Sequence, residues 1–476
     1  MEQPVRGLPL GGEGVTGRGA DADGLREAVE RYHELLAGDE ALAQESQAQL
    51  DEQLRRRHLD FGGRLLCTVL RPRLTTPPRY GRLQTRVDPL MRAFRRAYEA
   101  AVADAGFRRQ FRLADWEEEL VGTDPGFRDA SPTSRLDLFV VDDTDEMALT
   151  EYNAETPAGA GYNDVLADVF VDLPVMREFE RRYRLRPVRA RHGVFHVLMD
   201  AYAQWSGKRT GLQPRIAILD WPDVPTRSEF VIFQEYFQSL GLDCIIADPH
   251  DAEYRNGKLV LGGAPVDLIY KRVLISELVQ QCGLESPVVR AVRDGAVCMV
   301  NGFRSKILHK KASLAVLSDE RNRHLFDGEA RQAIGEHIPW TRVVEERATE
   351  HGGRPVDLLP FIAERRERMV LKPNDDYGGA GIVLGWTVSD DEWRRAIQTA
   401  LGAPYIVQER VSIPSEPYPS LVDGKVQVID RMLDTAPFIC YGDFMEGVLT
   451  RLSTAALLNV TAGGGSTVPT FVVEAR

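Results

Sequence analysis

The sequence predicts a mixed α/β protein, and three observations carry that reading. Residues 215–272 alternate strand and helix (RIAILDW, SEFVIFQEYFQSLG, LDCIIADP, VDLIYKR), the texture of a small doubly wound module. The first hundred or so residues instead space their apolar side chains at helical intervals. Residues 370–385, VLKPNDDYGGAGIVLG, read as an apolar strand, a glycine-rich turn and a returning strand. With 476 residues, 43% of them hydrophobic, the chain can bury a large core divided between two or three domains.

Composition narrows the function. A net charge of -12 sets the overall field against nonspecific binding to nucleic acid or anionic lipid, so neither is an expected partner. Any anionic substrate must then meet local positive charge. The amino terminus lacks a hydrophobic leader and no apolar run reaches the length of a membrane span, which predicts a cytoplasmic protein. Five cysteines (Cys67, Cys244, Cys282, Cys298, Cys440) show no CxxC or zinc-type spacing and read as buried thiols.

In chain order, residues 1–23 are rich in glycine and charge and are expected to be a disordered tail. A helical region follows over 24–130. Its first part holds two amphipathic helices broken near Gly38 and Asp39, and a stronger helix is expected over about 88–105. The run WEEEL at 116–120 reads as exposed helix surface, because consecutive carboxylates point in different directions around a helix. Residues 131–206 open on a strand, an acidic turn and a second strand ending in Glu151-Tyr152-Asn153. On a strand, residues i and i+2 share a face, so Glu151 and Asn153 converge as two hard oxygen ligands of the kind magnesium takes. The loop ETPAGAGYND, with Glu155 and Thr156 at its head, then leads into helices. His192 and His196, four apart, have no third ligand nearby and read as ordinary helix histidines.

The α/β module is assigned to 207–302, with no GxGxxG after its first strand. Over 303–476, Lys306, Lys310 and Lys311 open an apolar helix, and Lys372 emerges beside Gly378, Gly379 and Gly381. Glycines let backbone N–H groups approach phosphate oxygens, and a lysine adds a full positive charge. Where strand YIVQERVSI leaves the core, Gln408, Glu409, Arg410 and Val411 form a hinge able to offer backbone groups to an adenine and a carboxylate to a ribose. Short strands and a second glycine loop, TAGGGSTVP, which includes Gly464, complete the sequence.

The order of these motifs resembles the circularly permuted ATP-grasp proteins, which include eukaryotic-type glutathione synthetase and the glutathionylspermidine synthase-like group. The lysine helix, the KPNDDYGGAG hairpin, the VQERV hinge and Arg451 ahead of a glycine loop follow the ATP-grasp order, while the E-x-N strand lies upstream of them. The resemblance covers roughly residues 130–476. It implies an ATP-grasp fold and an ATP- and magnesium-dependent ligase that joins a small-molecule or peptide carboxylate to an amine through an acyl phosphate. By the same resemblance, Lys372 with Lys310 or Lys311 would hold the ATP phosphates, the glycines 378, 379 and 381 would cover them, and residues 408–411 would receive the adenine. Glu151 and Asn153 would bind magnesium together with Asp376 or Asp375. Arg135 and Arg451 would bind substrate or acyl phosphate, with Asp137, Glu155, Thr156 and Gly464 beside them. A catalytically degenerate nucleotide binder and a small-molecule kinase are the rival expectations. No Cys–His amidase constellation is recognisable, and a homodimer is possible on general grounds.

Overall fold

In a computed structural model, residues 15–141, 144, 146–208, 211–376, 379–454 and 465–476 are described, the side chains from residue 21 onward. Three sheets organise these residues. The largest runs, in spatial order, Ser415–Val422, Lys425–Leu433, Phe444–Ser453, Ala436–Cys440, Thr133–Val141 and Glu146–Asn153. Strand Ser466–Ala475 joins it through Phe444–Ser453, and also pairs parallel with Arg73–Thr75 and antiparallel with Tyr183–Pro187. A second, antiparallel sheet carries Thr341–Val343, Tyr405–Glu409, Met369–Pro373 and Val383–Leu384. The third is parallel, in the order Cys298–Val300, Leu268–Lys271, Ile216–Leu219, Cys244–Ala247. Its continuous apolar strands are buried on both faces, as the alternation over 215–272 predicts.

Helices Val15–Gly38 and Glu40–Arg56 break where expected, Asp39 accepting from the Leu42 N–H as the second helix's cap. The first begins eight residues earlier than residue 23, inside the expected tail. Helix Pro77–Ala103 likewise starts well before residue 88. Pro77 and Pro78 fill its first turn, where a missing N–H costs nothing, and Thr76 caps it. The strand Ser415–Val422, which contains Pro417 and Pro419, is not among the elements expected from the sequence. It lies at the sheet edge, where proline is tolerated. Cys67, Cys244, Cys298 and Cys440 are buried, Cys282 only partly.

The glycine hairpin forms as read: Val370 pairs with Leu384 and Leu371 with Val383. Helix Asp390–Gly402 backs it, with Ser389 and Glu392 forming a reciprocal cap and Trp393, Ile397 and Ala400 buried on one stripe. Gly385 closes the hairpin against backbone. A Cβ there would lie 1.9 Å from the Arg366 carbonyl oxygen and 2.8 Å from that of Met369. Gly385→Ala is therefore expected to displace the hairpin's return strand and lower the thermal unfolding midpoint, whereas Gly402→Ala, with open space around it, should lower it far less.

Candidate functional site

The strand pair Thr133–Val141 and Glu146–Asn153 sets the acidic side of the site. Its register puts Arg135 opposite Asn153 and Asp137 opposite Glu151, with an irregularity just beyond that pair. Arg135 Nε donates to Asp137 at 3.0 Å, and from strand Phe444–Ser453, beyond the intervening Ala436–Cys440, Arg451 donates to Asp137 and to Asp434, both at 2.6 Å. Asp137 is buried, which disfavours its charge, yet the two guanidiniums outweigh that and hold its carboxyl well below the usual range. Glu151 is held down in the same way by Lys311, 2.9 Å away. Asn153 Nδ2 is buried with no hydrogen-bond partner among the described residues.

The cationic side comes from the second sheet and the lysine segment. Lys372 donates to the Thr150 carbonyl at 3.2 Å and to Gln408 Oε1 at 2.8 Å, linking the two sheets. Burial lowers its ammonium to about 8. Instead of opening one helix, Lys310 and Lys311 occupy a break between Ser305–His309 and Ala312–Ser318, so their side chains diverge. Lys311 reaches Glu151 and the Asp376 carbonyl, while Lys310 turns to Glu117 at 2.7 Å and Asp375 at 2.8 Å. Asn374 sets this geometry. Its carbonyl accepts from the Lys311 N–H, its amide oxygen caps Ala312, and its amide nitrogen donates to the Phe111 carbonyl.

Of the two aspartates put forward as metal ligands, Asp375 is committed to a buried charge cluster, whereas Asp376 is exposed. Lys306 lies 2.7 Å from Asp375, 3.2 Å from Glu155 and 3.5 Å from Glu117. Lys271, from the parallel module, is 3.4 Å from Glu155. Burial opposes Glu155's charge, but Lys306 and Lys271 hold its carboxyl down to about 2. His309, whose Nδ1 is buried with no partner among the described residues, is pushed by burial down to about 4. Glu155, His309 and Asp375 approach one another as metal ligands could, but Lys306 already supplies the cation at Glu155 and Asp375.

Glu117 corrects the reading of WEEEL as exposed surface. It is fully buried, whereas Glu119 of the same run is half-exposed at its ion pair with Arg293. Nothing in the run distinguishes Glu117, since only its tertiary partners do. Glu117, Lys271, His309 and Asp434 all escaped the sequence reading. The i, i+4 spacing of Lys306 and Lys310, which puts both on one helical face, was the one available signal.

Of the hinge residues, Glu409, Arg410 and Val411 line a groove of about 730 Å³, together with Phe139, Met147, Ala148, Trp340 and His351. Gln408 points inward to Lys372 and Thr341, Glu409 meets His351 at 2.9 Å, the Arg410 guanidinium stacks over Trp386, and Val411 faces the groove. Gly379 and Gly381 adopt positive φ, with Gly381 against Pro373 and Tyr405. Thr156 is half-buried after Glu155. Gly378 and Gly464 lie outside the described residues. His192 and His196 meet at 2.8 Å between their Nε2 atoms, and His192 Nδ1 contacts the Tyr236 hydroxyl. Among the described residues no third ligand joins them.

Two sheets facing each other across lysines and acidic strand residues define a protein of the ATP-grasp class. The chain belongs to the family described as circularly permuted ATP-grasp type 2, whose model matches residues 111–453. At the level of that family, the activity is that of an ATP-dependent ligase. A glutathione synthetase-like effector from Globodera pallida, in its apo form, shares the fold, with a TM-score of 0.57 and 12% identity over 92% of this chain and 95% of that one. D-alanyl-alanine synthetase A from Vibrio cholerae matches 54% of this chain and 74% of its own at 10% identity, with a TM-score of only 0.29. No curated protein matches. Among the described residues, no helix is long and apolar enough to cross a membrane.

Removing Glu117 leaves the buried cluster one negative charge short, with Lys306 and Lys310 both leaning on Asp375. Glu117→Gln should therefore cost about 3–5 kcal/mol. Glu119→Gln, breaking a partly exposed pair, should cost under about 1 kcal/mol. Paired chemical-denaturation curves provide the comparison.

Proposed function

We propose that the protein is an ATP-dependent carboxylate–amine ligase working through an acyl phosphate. The observation that carries this reading is the convergence of Lys372 and Lys311, from separate elements, on the strand bearing Glu151 beside the hinge groove. The groove suits a nucleotide: its Phe139, Met147 and Ala148 wall is apolar, as a base requires, and its hinge side is polar. Lys372 and Lys311 would hold the phosphates. Lys310 and Asp375, occupied elsewhere, serve the hairpin's root instead.

Asp137, Glu151 and Asn153 offer carboxylate and amide oxygens on adjoining strands, while the Asn153 Nδ2, unpartnered among the described residues, is an N–H donor that suits a phosphate oxygen and not the ion. These three, with exposed Asp376, would hold magnesium. Asp137 thus moves from amine binding to the metal set. When bound, the ion would offset the repulsion between ATP and a carboxylate. The substrate carboxylate oxygen attacks the γ-phosphorus, the β,γ-bridging P–O bond breaks, and ADP departs. Arg135 and Arg451, anchored by Asp137 and Asp434, orient the acyl phosphate with fixed donors. The amine nitrogen then attacks the acyl carbon and loses a proton, the C–O bond to phosphate breaks, and an amide results. Closure of the glycine hairpin would keep water from that intermediate.

With ATP, magnesium and a panel of carboxylates and amines, phosphate release should require one member of each class. Lys372→Ala and Glu151→Ala should reduce release by at least about 1000-fold with the fold preserved by circular dichroism. A phosphorylated carboxylate that accumulates without amide would favour the kinase, and no turnover would favour the nucleotide binder.

A pH test follows from Lys372. Its folded value, about 8, lies below that of a free lysine, so its charge is lost as pH rises through 8. Because phosphate binding needs that charge, affinity for magnesium–ADP should fall above pH 8 by up to about tenfold per pH unit. Lys372→Arg, charged throughout, should flatten the profile.

A further inference from the structure

Between strands Thr341–Val343 and Met369–Pro373 the chain inserts a two-stranded hairpin, Ala348–His351 and Arg354–Asp357, turned by Gly352 and Gly353. It is firmly held. The Glu350 carbonyl accepts from Trp340 Nε1 at 2.8 Å and from Arg342 at 3.2 Å, and Thr349 Oγ1 accepts from Arg342 Nε at 2.7 Å. Its last strand residue before the turn, His351, packs between Trp340 and Phe361, with ring centroids 5.5 and 4.7 Å away. The free edge of that ring meets Glu409 Oε1 at 2.9 Å. Glu409 is the last residue of its strand, its N–H bonded to the Trp340 carbonyl, and both Glu409 and His351 line the groove.

We propose that His351 is a positioning residue that fixes the Glu409 carboxylate to accept the ribose 2′-hydroxyl of the bound nucleotide, an inference that rests on the groove being the nucleotide site. A carboxylate at a strand end facing a groove would otherwise sample several rotamers in water. Hydrogen bonding to a histidine that is itself wedged between two aromatic rings removes that freedom on one oxygen. Among the described residues the other oxygen has no hydrogen-bond partner and is able to accept a hydroxyl. Acidic side chains read ribose hydroxyls in this way at other nucleotide folds, and a site preorganised for a hydroxyl discriminates against the analogue lacking it.

The test is calorimetric titration of the full chain with magnesium–ADP and magnesium–2′-deoxyADP. Wild type should bind ADP about tenfold more tightly, the loss expected for one hydrogen bond to a charged acceptor. In His351→Ala that preference should fall to within twofold, by weakening of ADP alone, with 2′-deoxyADP affinity unchanged. His351→Gln, which retains a donor, should recover part of the preference, and Glu409→Gln should lose most of it. A wild type that binds both nucleotides equally overturns the inference and leaves the nucleotide site standing. So does a His351→Ala protein with an unaltered ratio, or one weakened equally for both nucleotides, the signature of a structural role. A wild type that binds neither overturns the nucleotide reading, and this inference with it.

Discussion

The structure depends on a buried lysine that three carboxylates share. Lys306 lies within ion-pair distance of Asp375, Glu155 and Glu117, and Lys271 and Lys310 bring the charges around it to balance. Taking such groups out of water is costly, and only mutual contact offsets it, so the cluster tolerates little displacement of any member. Its members come from a short amino-terminal helix, the loop after the E-x-N strand, the parallel module, the lysine helix and the root of the glycine hairpin. Parts of the chain far apart in sequence are thereby held in one arrangement, alongside the apolar cores in which Val121 meets Ile307 and Leu120 meets the parallel module. Lys306 stays charged in spite of burial because its partners outweigh the desolvation, whereas His309 beside it is kept neutral.

How much of this the sequence disclosed depended on whether the signal was local. The strand pair over 133–153, the parallel module and the glycine hairpin were legible because alternation and turn chemistry act over a few residues. The same parity argument correctly set Glu151 and Asn153 on one face. It could not supply Asp137, since a cross-strand neighbour follows from register and from the irregularity after Asp137. Nor could it separate Lys310 from Lys311, because the helix break that turns them apart is pinned by Asn374, more than sixty residues on. Glu117 was unreadable for a simpler reason: three successive glutamates look alike until one meets buried lysines. Proline context is likewise tertiary: Pro77 starts a helix, while Pro417 and Pro419 are tolerated in an edge strand.

The site itself is divided between two sheets. The acids and the arginines belong to the large sheet, Lys372 and the hinge to the smaller one, and the Lys372 bond to the Thr150 carbonyl crosses between them. Relative movement of the sheets would therefore alter the spacing of cation and carboxylate directly, which gives hinge and hairpin a chemical purpose beyond covering a groove.

Permutation also sets an order in time. A ribosome makes Asp137 and Glu151 long before Lys372, which is 222 residues beyond the carbonyl it binds. During that interval Arg135, two residues from Asp137 and its partner in the folded sheet, has already been made. Arg135 is thus at hand for the carboxylate throughout synthesis, whereas the carboxylate's second partner, Arg451, is made 314 residues after it.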